Sequence, residues 1–112
     1  MAAEVFVGLD LTEIAETGSR GGGQFMGSKF KANSTLWPTA GTNESGFTGL
    51  PAGRRMASGE VVAPGNSAWY WTSSPDANGG IWSRGLLSDD EGILRVSPSA
   101  GEGYSVRCMK DF

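Results

Sequence analysis

Asp89, Asp90 and Glu91 stand side by side and are the densest group of ionisable residues in the chain. Neighbouring carboxylates can share acid and base work when their surroundings drive their pKa values apart. They also offer hard oxygen donors which, with Asp76 and Asn78, suit calcium. Three acids in a row inside "SDDEG" read first as solvated turn formers, and no EF-hand loop surrounds them. Histidine is absent from all 112 residues, which removes the commonest general base near neutral pH and the commonest zinc ligand. Serines are plentiful but lie in no nucleophile-elbow pattern, and no imidazole exists to activate one. The single cysteine, Cys108, leaves three readings open: a reactive thiol, half of a disulfide, or a small apolar core residue.

A second pattern is the stretch "GSRGGGQFMGSKFK". Gly22 and Gly27 have the spacing of a phosphate loop, but Ser28 precedes Lys29 where the loop needs lysine directly after glycine and then Ser or Thr. It reads as a plain glycine loop. The third pattern is aromatic. Trp37, Trp69, Trp71 and Trp82 read mainly as core filler in a chain short of aliphatic bulk. Tyr70, Trp82 and Arg84 are singled out as the exposed set, since flat rings beside a guanidinium recognise sugars or protein partners. With Asp89, Asp90 and Glu91 they form the candidate ligand-binding residues. The expectation is a protein without catalysis and without a cofactor, calcium being the one ion worth testing.

These side chains need a scaffold. Hydrophobic residues make up 38% and charged residues 19%, so the chain is apolar enough to fold. Its 18 glycines argue against a mostly helical protein. A net charge of −3, with Lys and Arg scattered, gives no electrostatic basis for nucleic acid or an anionic membrane. No apolar run is long enough for a membrane span, and "MAAEVFVGLDL" lacks the basic region and longer apolar stretch of a signal peptide.

In "LDLTEIAETG", Asp10 followed by Glu13 resembles a capping box, and Leu11, Ile14 and Ala15 share one helical face. This predicts a short helix over 10–17. Residues 31–49 are small and polar with two large aromatics, Trp37 and Phe47, which predicts a surface connection held by aromatic anchors. "AWYWTSS", "GIWSRGLL", "GILRV" and "GYSVRCMKD" then alternate with turn-like segments, predicting a four-stranded meander over 68–111. Alternation puts Trp69 and Trp71 on one face against Tyr70 and Thr72. It also groups Tyr104, Val106 and Cys108, which favours the core reading of the cysteine. Arg84, Arg95 and Arg107, one on each of the last three strands, are expected near the acidic turn, with Arg107 closing a charge pair across the sheet.

The ordered set "GTNESGFTGLPAGRR", "YWTSS", "IWSRGL" and "GYSVRCMKD" resembles the Fibrobacter succinogenes major paralogous domain family over about residues 27–111. The resemblance implies an α+β, C-type lectin-like fold: a twisted antiparallel sheet, one short N-terminal helix and long irregular loops. It also implies a relation to formylglycine-generating-enzyme-like domains and to retroelement-diversified variable domains, and a bacterial extracellular or cell-surface setting. Formylglycine chemistry uses paired cysteines, which this chain does not have. The Glu-Pro-Asn and Trp-Asn-Asp motifs of calcium-dependent lectins are absent as well. Members usually carry an upstream "GWHVPS"-like half, of which residues 1–26 look like a remnant, so the single domain reads as naturally short or as an excised piece.

The function expected from residues and resemblance together is a non-catalytic module that binds a glycan or a protein through the last sheet and its loops. The alternative is a self-assembling structural unit, a homo-oligomer without a small ligand.

Overall fold

The computed structural model describes residue 9, residues 16–97 and residues 101–106. In chain order these form β1 (Gly18–Arg20), a 3-10 turn (Gly22–Gln24), helix α1 (Met26–Phe30), β2 (Arg54–Arg55), β3 (Val61–Val62), β4 (Ser67–Pro75), β5 (Ile81–Leu87) and β6 (Ile93–Val96). Four strands build the main sheet in the order β1-β6-β5-β4, and β2 with β3 forms a separate hairpin. Every strand pair is antiparallel. Mostly antiparallel sheet with one α-helix among the described residues makes this a small α+β fold.

Alternation explains the core. Ala68 of β4 faces Leu86 of β5, and with Ile93 of β6 they point to one side of the sheet. Met26 and Phe30, one helical turn apart on α1, close over them together with Leu9, Ala32 and Trp37. Burying a side chain of this size stabilises the fold by roughly 1.5–3 kcal/mol.

α1 lies inside the segment that reads from sequence as a glycine loop, and the reading is corrected here. Gly21, at the start of the 3-10 turn, and Phe25, between it and α1, both adopt left-handed backbone; Phe25 separates the two runs and keeps each short. Gly27 then allows the helix to sit directly on the β5–β6 turn. Its N–H donates to the Glu91 carbonyl at 2.8 Å, and a Cβ there would lie 2.6 Å from the Gly92 carbonyl oxygen. The predicted helix over 10–17 falls mostly outside the described residues; Glu16 and Thr17, which are described, are not helical.

The connection over 31–49 is anchored as its composition suggests. Trp37 is buried and its indole N–H donates to the Gly49 carbonyl at 2.7 Å. Phe47 packs on Phe30 with ring centroids 5.7 Å apart.

The predicted meander needs a second correction. β4, β5 and β6 follow one another, but residues 101–106 do not pair with β6, because β1 already occupies that side. They cross to the other edge of the sheet. Gly103 exchanges two backbone hydrogen bonds with Arg55 of β2, each 2.8 Å, and Ser105 bridges Tyr70 in parallel. Val106 is 78% exposed, so the alternation set begun by Tyr104 and Val106 does not form a buried face within the described residues. Arg107 and Cys108 lie outside them.

Candidate ligand-binding face

Strand register gathers the aromatic and arginine residues. Tyr70 of β4 faces Arg84 of β5, Arg84 faces Arg95 of β6, and Arg95 faces Gly18 of β1. Directly paired residues point to the same side, so Tyr70, Arg84 and Arg95 form one row across three strands. Trp82 lies two residues before Arg84 on the same face, and the Arg95 guanidinium carbon sits 3.7 Å from the centroid of its ring. That stack is a cation–π contact on the best aromatic acceptor. All four side chains are half-buried.

Neighbouring backbone fixes them. The Thr72 hydroxyl donates to the Trp82 carbonyl at 2.6 Å, close to where the β4–β5 register shifts. Arg84 Nη1 donates to the Ser83 carbonyl at 3.2 Å. Tyr70 meets Phe47 edge to face at 4.9 Å. Phe47 is held by a locked loop, in which the Thr48 N–H donates to Asn43 Oδ1 at 2.8 Å and the Asn43 amide donates to Thr48 Oγ1 at 3.0 Å. Both residues have left-handed backbone, with φ of 54° and 59°, a costly conformation for β-branched Thr48.

Tyr70, Trp82 and Arg84 therefore lie together, with Arg95 beside them, but where the sequence reading expected an exposed set they are half-buried, and Tyr70 packs against the core on the side of the sheet that also carries Ala68, Leu86 and Ile93. Sequence reasoning missed Arg95 as a site residue. Alternation gives its face only once the register against Arg84 is known, and register is a tertiary property.

Asp89, Asp90 and Glu91 are not part of this cluster. They occupy the turn at the far end of β5, roughly 20 Å along the strand from Trp82 at 3.3 Å per residue. Among the described residues Lys31 reaches this turn, where the sequence reading expected arginines. Its ammonium donates to the Asp90 carbonyl at 3.3 Å and lies 5.2 Å from the centroid of the Trp37 ring. Burial holds the Lys31 pKa below its ordinary 10.5, while the charges of Glu91, Asp90 and Asp89 pull it up. Asp90 Oδ1 accepts from the Ser19 hydroxyl at 2.9 Å and the Gly92 N–H at 2.7 Å. The turn thus ties β1, α1 and β6 together. Among the described residues, no three His, Cys, Asp or Glu side chains group to hold a metal ion.

The opposite face of the sheet carries a second aromatic group. Tyr104 stacks on Trp71 at 4.7 Å with ring planes 25° apart and tilts against Trp69 at 5.6 Å. Arg54 lies 5.2 Å from the centroid of the Trp69 ring and pairs with Glu102 at 3.2 Å. Trp69 reaches across β5 because position 85 is glycine; a Cβ there would lie 2.5 Å from its ring. The Tyr104 hydroxyl is buried and meets no partner in full hydrogen-bond geometry among the described residues, although the side chains of Arg54 and Ser83 lie close enough to favour its charged form. Burial raises its pKa from 10.0, against a smaller opposing pull from nearby Arg54. Trp37 and Trp69 are core residues, as expected of most of the tryptophans, while Trp71 and Trp82 are half-buried.

Next to Trp82, the β4–β5 turn is organised by Asp76. Its Oδ1 accepts from the N–H groups of Asn78 at 2.8 Å and Gly80 at 2.7 Å, and its Oδ2 accepts from the Ser97 hydroxyl beyond β6. The Ser97 bond, followed by the backbone ones, holds the Asp76 pKa below its ordinary 3.8.

No curated protein and no solved structure matches this chain. The model of the Fibrobacter succinogenes major domain matches residues 3–110, so the likeness extends upstream of Gly27, where the quoted motifs begin. The chain belongs to the Fibrobacter succinogenes major domain family.

Proposed function

We propose that this domain is a non-catalytic binding module that engages a glycan or protein partner through the face bearing Tyr70, Trp82, Arg84 and Arg95. The observation that carries this reading is the Arg95–Trp82 stack in line with Arg84 and Tyr70. A guanidinium resting on an indole orders both groups before a ligand arrives, which lowers the entropy lost on binding. Trp, Tyr and Arg are also the residues most often found to dominate binding energy. The segments over 74–80 and 86–92 adjoin the ends of β4, β5 and β6 and would contribute further contacts, those of the acidic turn at the far end of the sheet; the third expected segment, 97–103, lies only partly within the described residues. A C-type lectin-like fold and a location outside the cell or on its surface belong to the same proposal and rest on the motif resemblance.

A glycan array run with calcium and again with chelator tests it. Saturable binding to one sugar class, lost in Trp82→Ala with an unchanged circular dichroism spectrum, is the expected result. Arg95→Gln, which leaves the indole in place, is the second variant should Trp82→Ala fail to fold. Retained binding in a folded variant would remove this face from consideration, and sensitivity to chelator would bring the acidic turn into the site.

Self-association is the second reading. Val61 and Met56, on and beside the β2–β3 hairpin, are 57% and 38% exposed, and large exposed apolar side chains favour a partner surface. Sedimentation over a dilution series separates the two: a stability that falls on dilution would mark an obligate oligomer.

A further inference from the structure

We propose that Asn78 is a site of spontaneous deamidation and isomerisation, a chemical timer in the β4–β5 turn. The chain has four asparagines, at 33, 43, 66 and 78, and only Asn78 is followed by glycine. The reaction needs the next residue's backbone nitrogen to reach the side-chain amide carbon. A following glycine, with no Cβ and the widest range of backbone angles, obstructs that approach least. Asn78 and Gly79 are both exposed, and a Cβ placed on Gly79 would meet nothing within 4 Å.

Hydrogen bonding in the turn leaves the reacting nitrogen the least engaged of three. Asp76 Oδ1 takes the N–H of Asn78 at 2.8 Å and that of Gly80 at 2.7 Å. The Gly79 N–H between them makes only a 3.5 Å contact with the Asp76 carbonyl, at the outer limit of a hydrogen bond. The other asparagines differ. Asn43 has both its amide oxygen and its amide nitrogen bonded to Thr48. Asn66 accepts from Ser88 at 3.3 Å and is followed by Ser67, whose N–H is bonded to the Ala63 carbonyl at 3.1 Å. Asn33 is exposed but is followed by serine.

In the step itself, hydroxide removes the Gly79 amide proton and the nitrogen attacks the Asn78 side-chain carbonyl carbon. The bond from that carbon to the side-chain nitrogen breaks, and ammonia leaves after taking a proton from water. Water then opens the five-membered imide at either carbonyl, giving aspartate or an isoaspartyl linkage at position 78. No oxidant, reductant or co-reactant other than water is consumed. Either product places a carboxylate two residues from Asp76, and the isoaspartyl form adds a methylene to the backbone of the turn. Both would loosen the end of the hairpin that carries Trp82.

The test is peptide mapping by mass spectrometry of the folded protein held at 37 °C over a pH series. Conversion at Asn78 should exceed that at each of Asn33, Asn43 and Asn66 by about tenfold or more, a barrier difference of about 1.4 kcal/mol. The rate should rise with pH, and isoaspartyl product should be detected by enzymatic methylation of its free carboxyl. Asn78→Gln, which needs a larger ring to close, should remove the fast phase. Conversion at Asn78 no faster than at Asn33, or a fast phase that persists in Asn78→Gln, would overturn the proposal.

Discussion

Tyr104 carries a hydroxyl that meets no partner in full hydrogen-bond geometry among the described residues, inside a stack that needs only its ring. Tyr104→Phe should therefore leave stability near neutral pH almost unchanged, since no well-formed hydrogen bond is lost. At alkaline pH the two proteins should part. With the folded pKa raised above the unfolded 10.0, the unfolded chain sheds its proton first, so stability falls as pH rises beyond about 10. Thermal melts between pH 8 and 11 should show that loss in the parent and not in Tyr104→Phe. Lys31 has the opposite sign. Its folded pKa lies below 10.5, the unfolded state holds the extra proton in between, and stability rises with pH through that window. Lys31→Met should flatten the rise, measured by the same melts.

At the scale of elements, the β4–β5 turn depends on one carboxylate. Above its unfolded pKa, near 3.8, ionised Asp76 stabilises the turn, and that contribution is lost as pH falls through the lower folded value. Protection of the Asn78 and Gly80 amides from exchange, relative to their intrinsic rates, should fall below about pH 4, and in Asp76→Ala it should be low at every pH. The packing of α1 gives a sharper test. Gly27→Ala places a methyl 2.6 Å from a backbone oxygen that cannot rotate away. The expected destabilisation is about 1–3 kcal/mol by urea unfolding, despite the better helix propensity of alanine.

These two elements also mark what the sequence could and could not say. Alternation in "AWYWT" assigned Trp69 and Trp71 to one face and Tyr70 to the other, because a period of two is a property of the strand alone. It could not say which edge the segment ending at Ser105 would join, since faces do not specify neighbours. α1 was illegible because glycine lowers local helix propensity, while the contact that makes Gly27 useful comes from Glu91 and Gly92 far along the chain. The tie between the acidic turn and Lys31 was illegible for the same reason, since it spans 59 positions.

For the whole molecule, the proposed face and the opposite aromatic group can be separated by mutation. Trp82→Ala acts on the half-buried row of Tyr70, Arg84 and Arg95, whereas Gly85→Val forces Trp69 from its place against β5. Gly85→Val should lower stability by about 1–3 kcal/mol. Binding per folded molecule should persist in it, read by titration of the folded fraction. The register has a mechanical corollary. Gly18, Arg95, Arg84, Tyr70 and Ser105 lie in one line across the sheet, with Gly18 at one edge and Ser105 at the other. β1 enters that line from the same end toward which the chain leaves after Ser105, because β1 runs opposite to β4 and the last segment runs parallel to it. Tension applied between Gly18 and Ser105 therefore peels strands apart one hydrogen bond at a time instead of shearing many at once. Under load the sheet should yield at low force, like a zipper pulled from its open end.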